Sequence, residues 1–276
     1  MDFKRLSSGL VKRLRRGVPR TVETMCYPLL SLTYQHTCPV CGKRVKGFLP
    51  LSQYYASNKM RWGNPYNCED AETLNYRHYS CPHCAAADRD RLYALYLRRA
   101  LAPLCANKAI VLLDIAPSAP LRALLLRDKR VVYRSADLYA RGVDDIVDIT
   151  SMSIYAENTY DAFVCSHVLE HVEDDRKALS ELFRILKPDG WGILMVPINL
   201  AIDEIDEDPS VTDEAERWRR FGQFDHVRLY SKRGFLQRVK EAGFSVDQLG
   251  IDWFGNQAFQ RHGITSKSVL YVVEKR

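Results

Sequence analysis

The sequence predicts an α/β protein, a seven-stranded, mostly parallel sheet preceded by a small cysteine-rich module. Two observations carry the sheet. From residue 107 onward short apolar runs alternate with helical patterns, as parallel strands joined by crossover helices do. Several of those runs are continuously apolar, the mark of strands buried on both faces. A third observation defines the module: Cys38, Cys41, Cys81 and Cys84 form two Cys-x-x-Cys pairs. With 276 residues, 46% of them apolar, the chain can build one large domain or a medium one with a small companion.

Charge and composition narrow the class. The net charge of +6 divides unevenly: residues 1–20 carry +6, residues 21–106 carry +4 and residues 107–276 carry −4. A mildly acidic sheet domain is a poor match for a nucleic-acid groove, which needs clustered Lys and Arg to displace counterions. No run approaches the ~20 apolar residues of a membrane span. No signal-peptide apolar region is present either, so the expectation is a cytoplasmic protein. In that setting eight cysteines read as metal binding rather than a disulfide framework.

Taken in order, residues 1–20 set Phe3, Leu6, Leu10, Leu14 and Val18 on one helical face ringed by Lys and Arg. Such a segment can make peripheral contact with an anionic membrane surface, or it can be a docked helix with solvated charges. Residues 35–87 form the module. The pairs CPVC and CPHC are 39 residues apart and bracket an aromatic-rich stretch. Two such pairs can hold one tetrahedral zinc ion in a closed structural site, with Gly42 suiting the tight turn after the first pair. Buried or redox-active thiols are the alternative, and Cys68, His78 or His83 can each replace a ligand. Residues 88–106 read as a linking helix with Asp88 at its N-cap, an apolar face of Leu92, Leu95, Tyr96 and Ala100, and a stop before Pro103.

Within 107–276 the strands are 109–117, 130–138, a short one in 143–150, 160–165, 190–198, 244–251 and 268–275. Helices are expected over 174–186, closed by Lys187-Pro188-Asp189-Gly190, and over 231–242, stopped by Gly243. The stretch Tyr160–His171, YDAFVCSHVLEH, organises the rest. Its apolar strand ends at Ser166-His167, and ligands of open α/β sheets sit just past such strand ends.

YDAFVCSHVLEH resembles the fourth-strand motif of class I S-adenosylmethionine (SAM)-dependent methyltransferases, and the order of elements over 108–276 resembles their Rossmann-like fold. The resemblance implies SAM as cofactor. It makes Asp137, ending the second strand, the ribose-binding acid, with Leu138 beside it. Asp148 becomes the adenine contact, with Ile149 beside it. Asp114 closes the first-strand motif, and Ser166 and His167 lie at the cofactor's edge. The glycine-rich first turn of the family is replaced here by Ala116, Ser118 and Pro120. Glycine serves there for close approach and positive φ. Each acid can instead be a solvated strand-end residue, His171 reads as structural, and the altered turn leaves open a non-catalytic SAM-binding or scaffold protein.

The segment from Ile198 to Tyr230 is long for a loop and reads as the substrate side of the site. Its RWRRFGQFDHVRLY resembles a signature of bacterial methyltransferases that carry a four-cysteine module and are associated with sugar or cell-surface polysaccharide modification. The resemblance implies a small hydroxylated or glycan acceptor. Arg217, Asp225 and Arg228 would face it, and His226, with His167, would serve as proton acceptor. A zinc-module RNA methyltransferase, using the basic front of the chain, is the rival enzyme.

Overall fold

The computed structural model describes residues 35–104 and 109–276. The amphipathic segment 1–20 and the last residues of the expected link, 105–106, lie outside the described residues. Among those described, no helix is long and apolar enough to cross a membrane.

A two-stranded ribbon, β1 (His36–Thr37) and β2 (Arg44–Val45), precedes helices α1 (Gln53–Arg61) and α2 (Asp88–Ala100). Then come β3 (Ile110–Ile115), α3 (Ala119–Leu125), β4 (Val131–Asp137), β5 (Asp145–Ile146), β6 (Tyr160–Ser166), α4 (Asp175–Ile185) and β7 (Leu186–Met195). The stretch after β7 holds β8 (Ile198–Asn199), β9 (Asp206–Glu207), α5 (Glu214–Phe221) and β10 (Arg228–Ser231). The chain closes with α6 (Lys232–Glu241), β11 (Ser245–Leu249), α7 (Ile251–Phe254), α8 (Asn256–His262) and β12 (Leu270–Glu274).

The seven-stranded sheet has the order β11-β12-β7-β6-β3-β4-β5. Its pairings are parallel from β7 to β5, while β12 runs antiparallel to both neighbours. The apolar runs foreseen in β3 and β6 occupy the centre, where Leu112, Leu113, Phe163 and Cys165 are fully buried. Successive strands are added on one side of β3 (β4, β5) and then on the other (β6, β7), so a crevice opens beyond the carboxyl ends of β3 and β6. Gly192 of β7 pairs with Phe163 of β6, and a Cβ there would collide with the phenyl ring.

Three expectations need correction. Lys187–Gly190 does not separate helix from strand. Leu186 already pairs with Tyr160, and the four residues form a bulge before pairing resumes at Trp191 with Ala162. Asp88 is not the N-cap of α2: that position is Ala87, whose amide donates to Asp90 Oδ2 at 2.8 Å, while Asp88 accepts from the Asn75 amide. Finally, α2 buries more than one apolar stripe, because it packs against two cores. Leu92, Tyr93 and Leu97 join the sheet core, and Ala94 joins the cluster around the cysteines.

Arg91 of α2 joins these two layers. It is fully buried and all five of its N–H groups donate to backbone carbonyls: His262, Tyr79, Ala86, His78 and Gly263, at 2.5–3.0 Å. Its guanidinium also lies 3.8 Å over the Phe48 ring. Glu72 makes a second tie, accepting from Tyr271 of β12 at 2.6 Å and Lys232 of α6 at 2.9 Å.

Candidate active site

The two Cys-x-x-Cys turns fold alike. Gly42 donates its amide to the Cys38 carbonyl at 2.8 Å, and Ala85 donates to the Cys81 carbonyl at 2.9 Å. Both residues take positive φ, +73° and +59°, so Ala85 holds a conformation that glycine occupies in the first turn. The turns interleave, with Cys38 Sγ 3.7 Å from Cys84 Sγ and Cys41 Sγ 3.9 Å from Cys81 Sγ. Cys68, His78 and His83 stand outside this group of four.

A cavity of about 540 Å³ opens at the carboxyl edge of the sheet. Ala116 after β3, Asp137 and Leu138 at the end of β4, Asp148 and Ile149 after β5, and His167 after β6 all line it. Ala116 has φ +52° and His167 φ +56°, two non-glycine residues in the left-handed region at the points where the chain leaves the central strands. Asp137 Oδ1 accepts from the amides of Tyr139 and Ala140 at 2.8 and 2.7 Å, which fixes the turn after β4. Asp148 Oδ1 likewise accepts from the amide and hydroxyl of Thr150, both at 2.8 Å. Leu138 and Tyr139 are exposed at this rim.

A second cavity, about 330 Å³, shares His167 and His171 with the first. Its other walls come from two distant segments. Lys59 of α1, Cys68 and Arg89 of α2 form one side, while Asn199, Gln223 and His226 form the other. Helix α5 and strands β8 to β10 make the expected long loop an ordered wall. The β10 strand is pinned to the turn after β6: the Val227 amide donates to the Glu170 carbonyl at 2.8 Å. Arg228 donates to the carbonyls of Leu169, Val172 and Glu173.

Three histidines surround one carboxylate here. His167 Nδ1 is 3.2 Å from Glu170 Oε1, and His171 Nε2 is 3.9 Å from it. The rings of His171 and His226 meet edge-on with centroids 4.8 Å apart. Burial lowers the pKa of His167 and takes that of His226 to about 4. Burial opposes the Glu170 carboxylate, yet the imidazoles around it, His167 first, hold its pKa near 2. At neutral pH His167 and His226 are neutral imidazoles beside an ionised Glu170.

Other candidates lie elsewhere. Asp114 is buried behind the first cavity and accepts from the Tyr133 hydroxyl at 2.9 Å. Ser118 caps α3 and donates to Asp90 Oδ1 at 2.9 Å. Ser166 turns toward α2, 2.8 Å from the Tyr93 hydroxyl. Arg217 donates to the Val211 carbonyl at 3.0 Å and lines neither cavity. Arg228 is a buried clamp whose guanidinium also meets Glu207 at 3.0 Å, so it does not face an acceptor. Asp225 sits behind His171, with Oδ2 3.5 Å from Nδ1. Sequence reasoning missed Glu170, Lys59, Arg89 and Asn199. The glutamate lay inside the quoted motif, but only its burial distinguishes it from a surface acid.

The family model described as a methyltransferase domain matches residues 85–249. Among solved structures the chain is similar to the CurJ carbon methyltransferase, at 16% identity and TM-score 0.44, over 68% of this chain and 57% of that one. It therefore spans little more than half of that structure's length. A SAM-dependent methyltransferase from Archaeoglobus fulgidus gives 13% identity and TM-score 0.41, over 67% of this chain and 92% of that one. The YcgJ protein from Bacillus subtilis gives 18% and 0.38, over 66% and 96%. No curated protein matches the chain in sequence.

Proposed function

The chain belongs to the methyltransferase-domain family, and we propose that it methylates a hydroxyl of a small acceptor such as a sugar, with SAM as donor. The carrying observation is the pair of cavities that share the His167–His171 wall. The first cavity suits the donor. Its volume lies within the ~300–1,000 Å³ usual for cofactor sites. An acid ends the second strand, apolar side chains stand at the rim, and the left-handed Ala116 keeps the turn after β3 close to the sheet edge as a glycine would. When bound, SAM supplies an electrophilic methyl group on a sulfonium.

The chain's own residues then bind, orient and move a proton. Asp137 accepts from ribose hydroxyls and Asp148 meets the adenine. Holding the acceptor in the second cavity supplies the orientation on which methyl transfer mainly depends. His167, on the shared wall, is the neutral imidazole placed to take the acceptor's hydroxyl proton. Lys59 and Arg89 give that cavity two cationic donors, which favours an acceptor carrying an anionic group next to its hydroxyls. The module serves as support. Thiolates around zinc at ~2.3 Å stand about 3.8 Å apart, which the sulfur separations of 3.7 and 3.9 Å match. Four cysteines leave no open position, so the ion's role here is structural.

The test is an acceptor screen with isotopically labelled SAM over sugars and nucleotide sugars, beside calorimetry with SAM. Asp137→Ala should weaken SAM binding by roughly 10- to 100-fold, the loss of one or two charge-assisted hydrogen bonds. Unchanged affinity would remove the cofactor assignment, and label appearing on carbon or in RNA would remove the acceptor class.

A further inference from the structure

Glu170 is fully buried, and among the described residues neither of its carboxylate oxygens accepts a well-formed hydrogen bond; the nearest group, His167 Nδ1, lies 3.2 Å from Oε1. One ring nitrogen each of His171 and His226 lies with one of those oxygens in a group whose members are all within 4.8 Å of one another. All three residues line the second cavity. The tautomers follow from the other ring nitrogens. His226 Nδ1 is 3.2 Å from the Phe221 carbonyl, and His171 Nδ1 is 3.3 Å from the Asp225 carbonyl. A carbonyl only accepts, so each Nδ1 carries the proton and each Nε2 keeps a lone pair. Two imidazoles that each keep a lone pair and a carboxylate whose oxygens form no hydrogen bond therefore meet in a largely buried place, which is costly unless a cation lies among them. Imidazole N–H groups held by backbone carbonyls are also the usual outer support of metal-bound histidines.

We propose that Glu170, His171 and His226 bind a divalent first-row transition-metal ion, separate from the four-cysteine site, with open coordination positions facing the second cavity. Two imidazoles and one carboxylate are a donor set of borderline character, suited to Zn²⁺ or Co²⁺ rather than Mg²⁺. At metal–ligand bonds of ~2.0–2.2 Å the ligand atoms stand about 3.0–3.5 Å apart. The 3.9 Å between His171 Nε2 and Glu170 Oε1 closes by a small ring movement, for which His171, one-third exposed, has room. The open positions would take an acceptor oxygen and polarise it; the methyl would pass from the sulfonium to that oxygen, the S–C electron pair returning to sulfur, and the hydroxyl proton would go to His167. This makes His226 a ligand rather than a proton acceptor. The polarising role rests on the methyl-transfer reading, whereas metal binding does not.

The experiment titrates metal-free, reduced full-length protein with Co²⁺. Ions on cysteines show sulfur-to-cobalt charge-transfer absorption, and ions on nitrogen and oxygen show only weaker visible bands. The parent protein should bind one Co²⁺ without charge-transfer absorption in addition to any bound by cysteine. Glu170→Gln and His171→Ala should weaken that site on the order of 100-fold or more while leaving the charge-transfer bands in place. A far-ultraviolet circular dichroism spectrum and a cooperative unfolding transition like the parent's would establish that each variant is folded, with the exposed His171→Ala kept as the safer of the two. Absence of a sulfur-free cobalt site in the parent, or its survival in a folded variant, overturns the proposal. SAM binding is read separately, so a failed donor assignment is not mistaken for a failed metal site.

Discussion

Ala116 carries its methyl group in a backbone conformation that costs an L-residue about 1–2 kcal/mol. Ala116→Gly would remove that strain while giving back roughly 0.4–1 kcal/mol of unfolded-chain entropy. A net gain of about 0.5–1 kcal/mol in denaturant unfolding is expected. Ala85 in the second cysteine turn invites the same change. Asp114 predicts a pH effect. Burial raises its carboxyl to about 7, so the folded state holds a proton that the unfolded chain releases near 4. Between those values the folded state binds more protons, and stability contributed at this site falls as pH rises. Asp114→Asn keeps an acceptor for the Tyr133 hydroxyl and removes the titration. The variant should gain on the parent from pH 5 to pH 8, and parallel unfolding curves across that range would refute the assignment.

Among the elements, α2 and β10 do work that their periodicity does not advertise. Arg91 gives five hydrogen bonds to carbonyls of the cysteine module and the α8 end. Arg91→Met would strand those carbonyls in a dry interior and should cost about 3 kcal/mol or more in unfolding measurements. Lysine would not rescue it, because an ammonium cannot reproduce the planar fork. Arg228 binds β10 to the turn that carries Glu170 and so sets His226 against His171. Its sequence signature was legible, but its direction was not. A guanidinium in a loop reads as a substrate contact until its carbonyl partners are known. In β7, Gly192→Ala would drive a methyl into Phe163 and should destabilise by about 1–3 kcal/mol through overpacking.

At the scale of the whole molecule, the second cavity exists only where three separate stretches meet. The module and the helix after it supply Lys59 and Arg89, the sheet edge supplies His167, and the segment after β7 supplies Asn199 and His226. The bridge pair of Ala71 with Asn199 ties two of these stretches together, and Asn64 adds hydrogen bonds to the Trp218 and Arg219 carbonyls. If the cysteines hold zinc, its removal loosens one wall. Chelation should lower the thermal midpoint and abolish acceptor turnover while SAM affinity, set at the far side of His167, changes less. Equal loss of both would mean that the module supports the entire sheet.

Taken alone, the sequence determined what depends on neighbours along the chain. Apolar runs gave the seven strands, Cys-x-x-Cys spacing gave the paired turns, and the missing glycines singled out the first turn, where Ala116 takes positive φ. Tertiary structure decided what depends on convergence. It turned Ser166, Arg217 and Arg228 away from the cavities, and it buried Glu170 beneath three imidazoles. The physical reason is that period and turn chemistry are local. The desolvation of a carboxylate is set by residues brought together from across the fold, and no spacing within the chain records it.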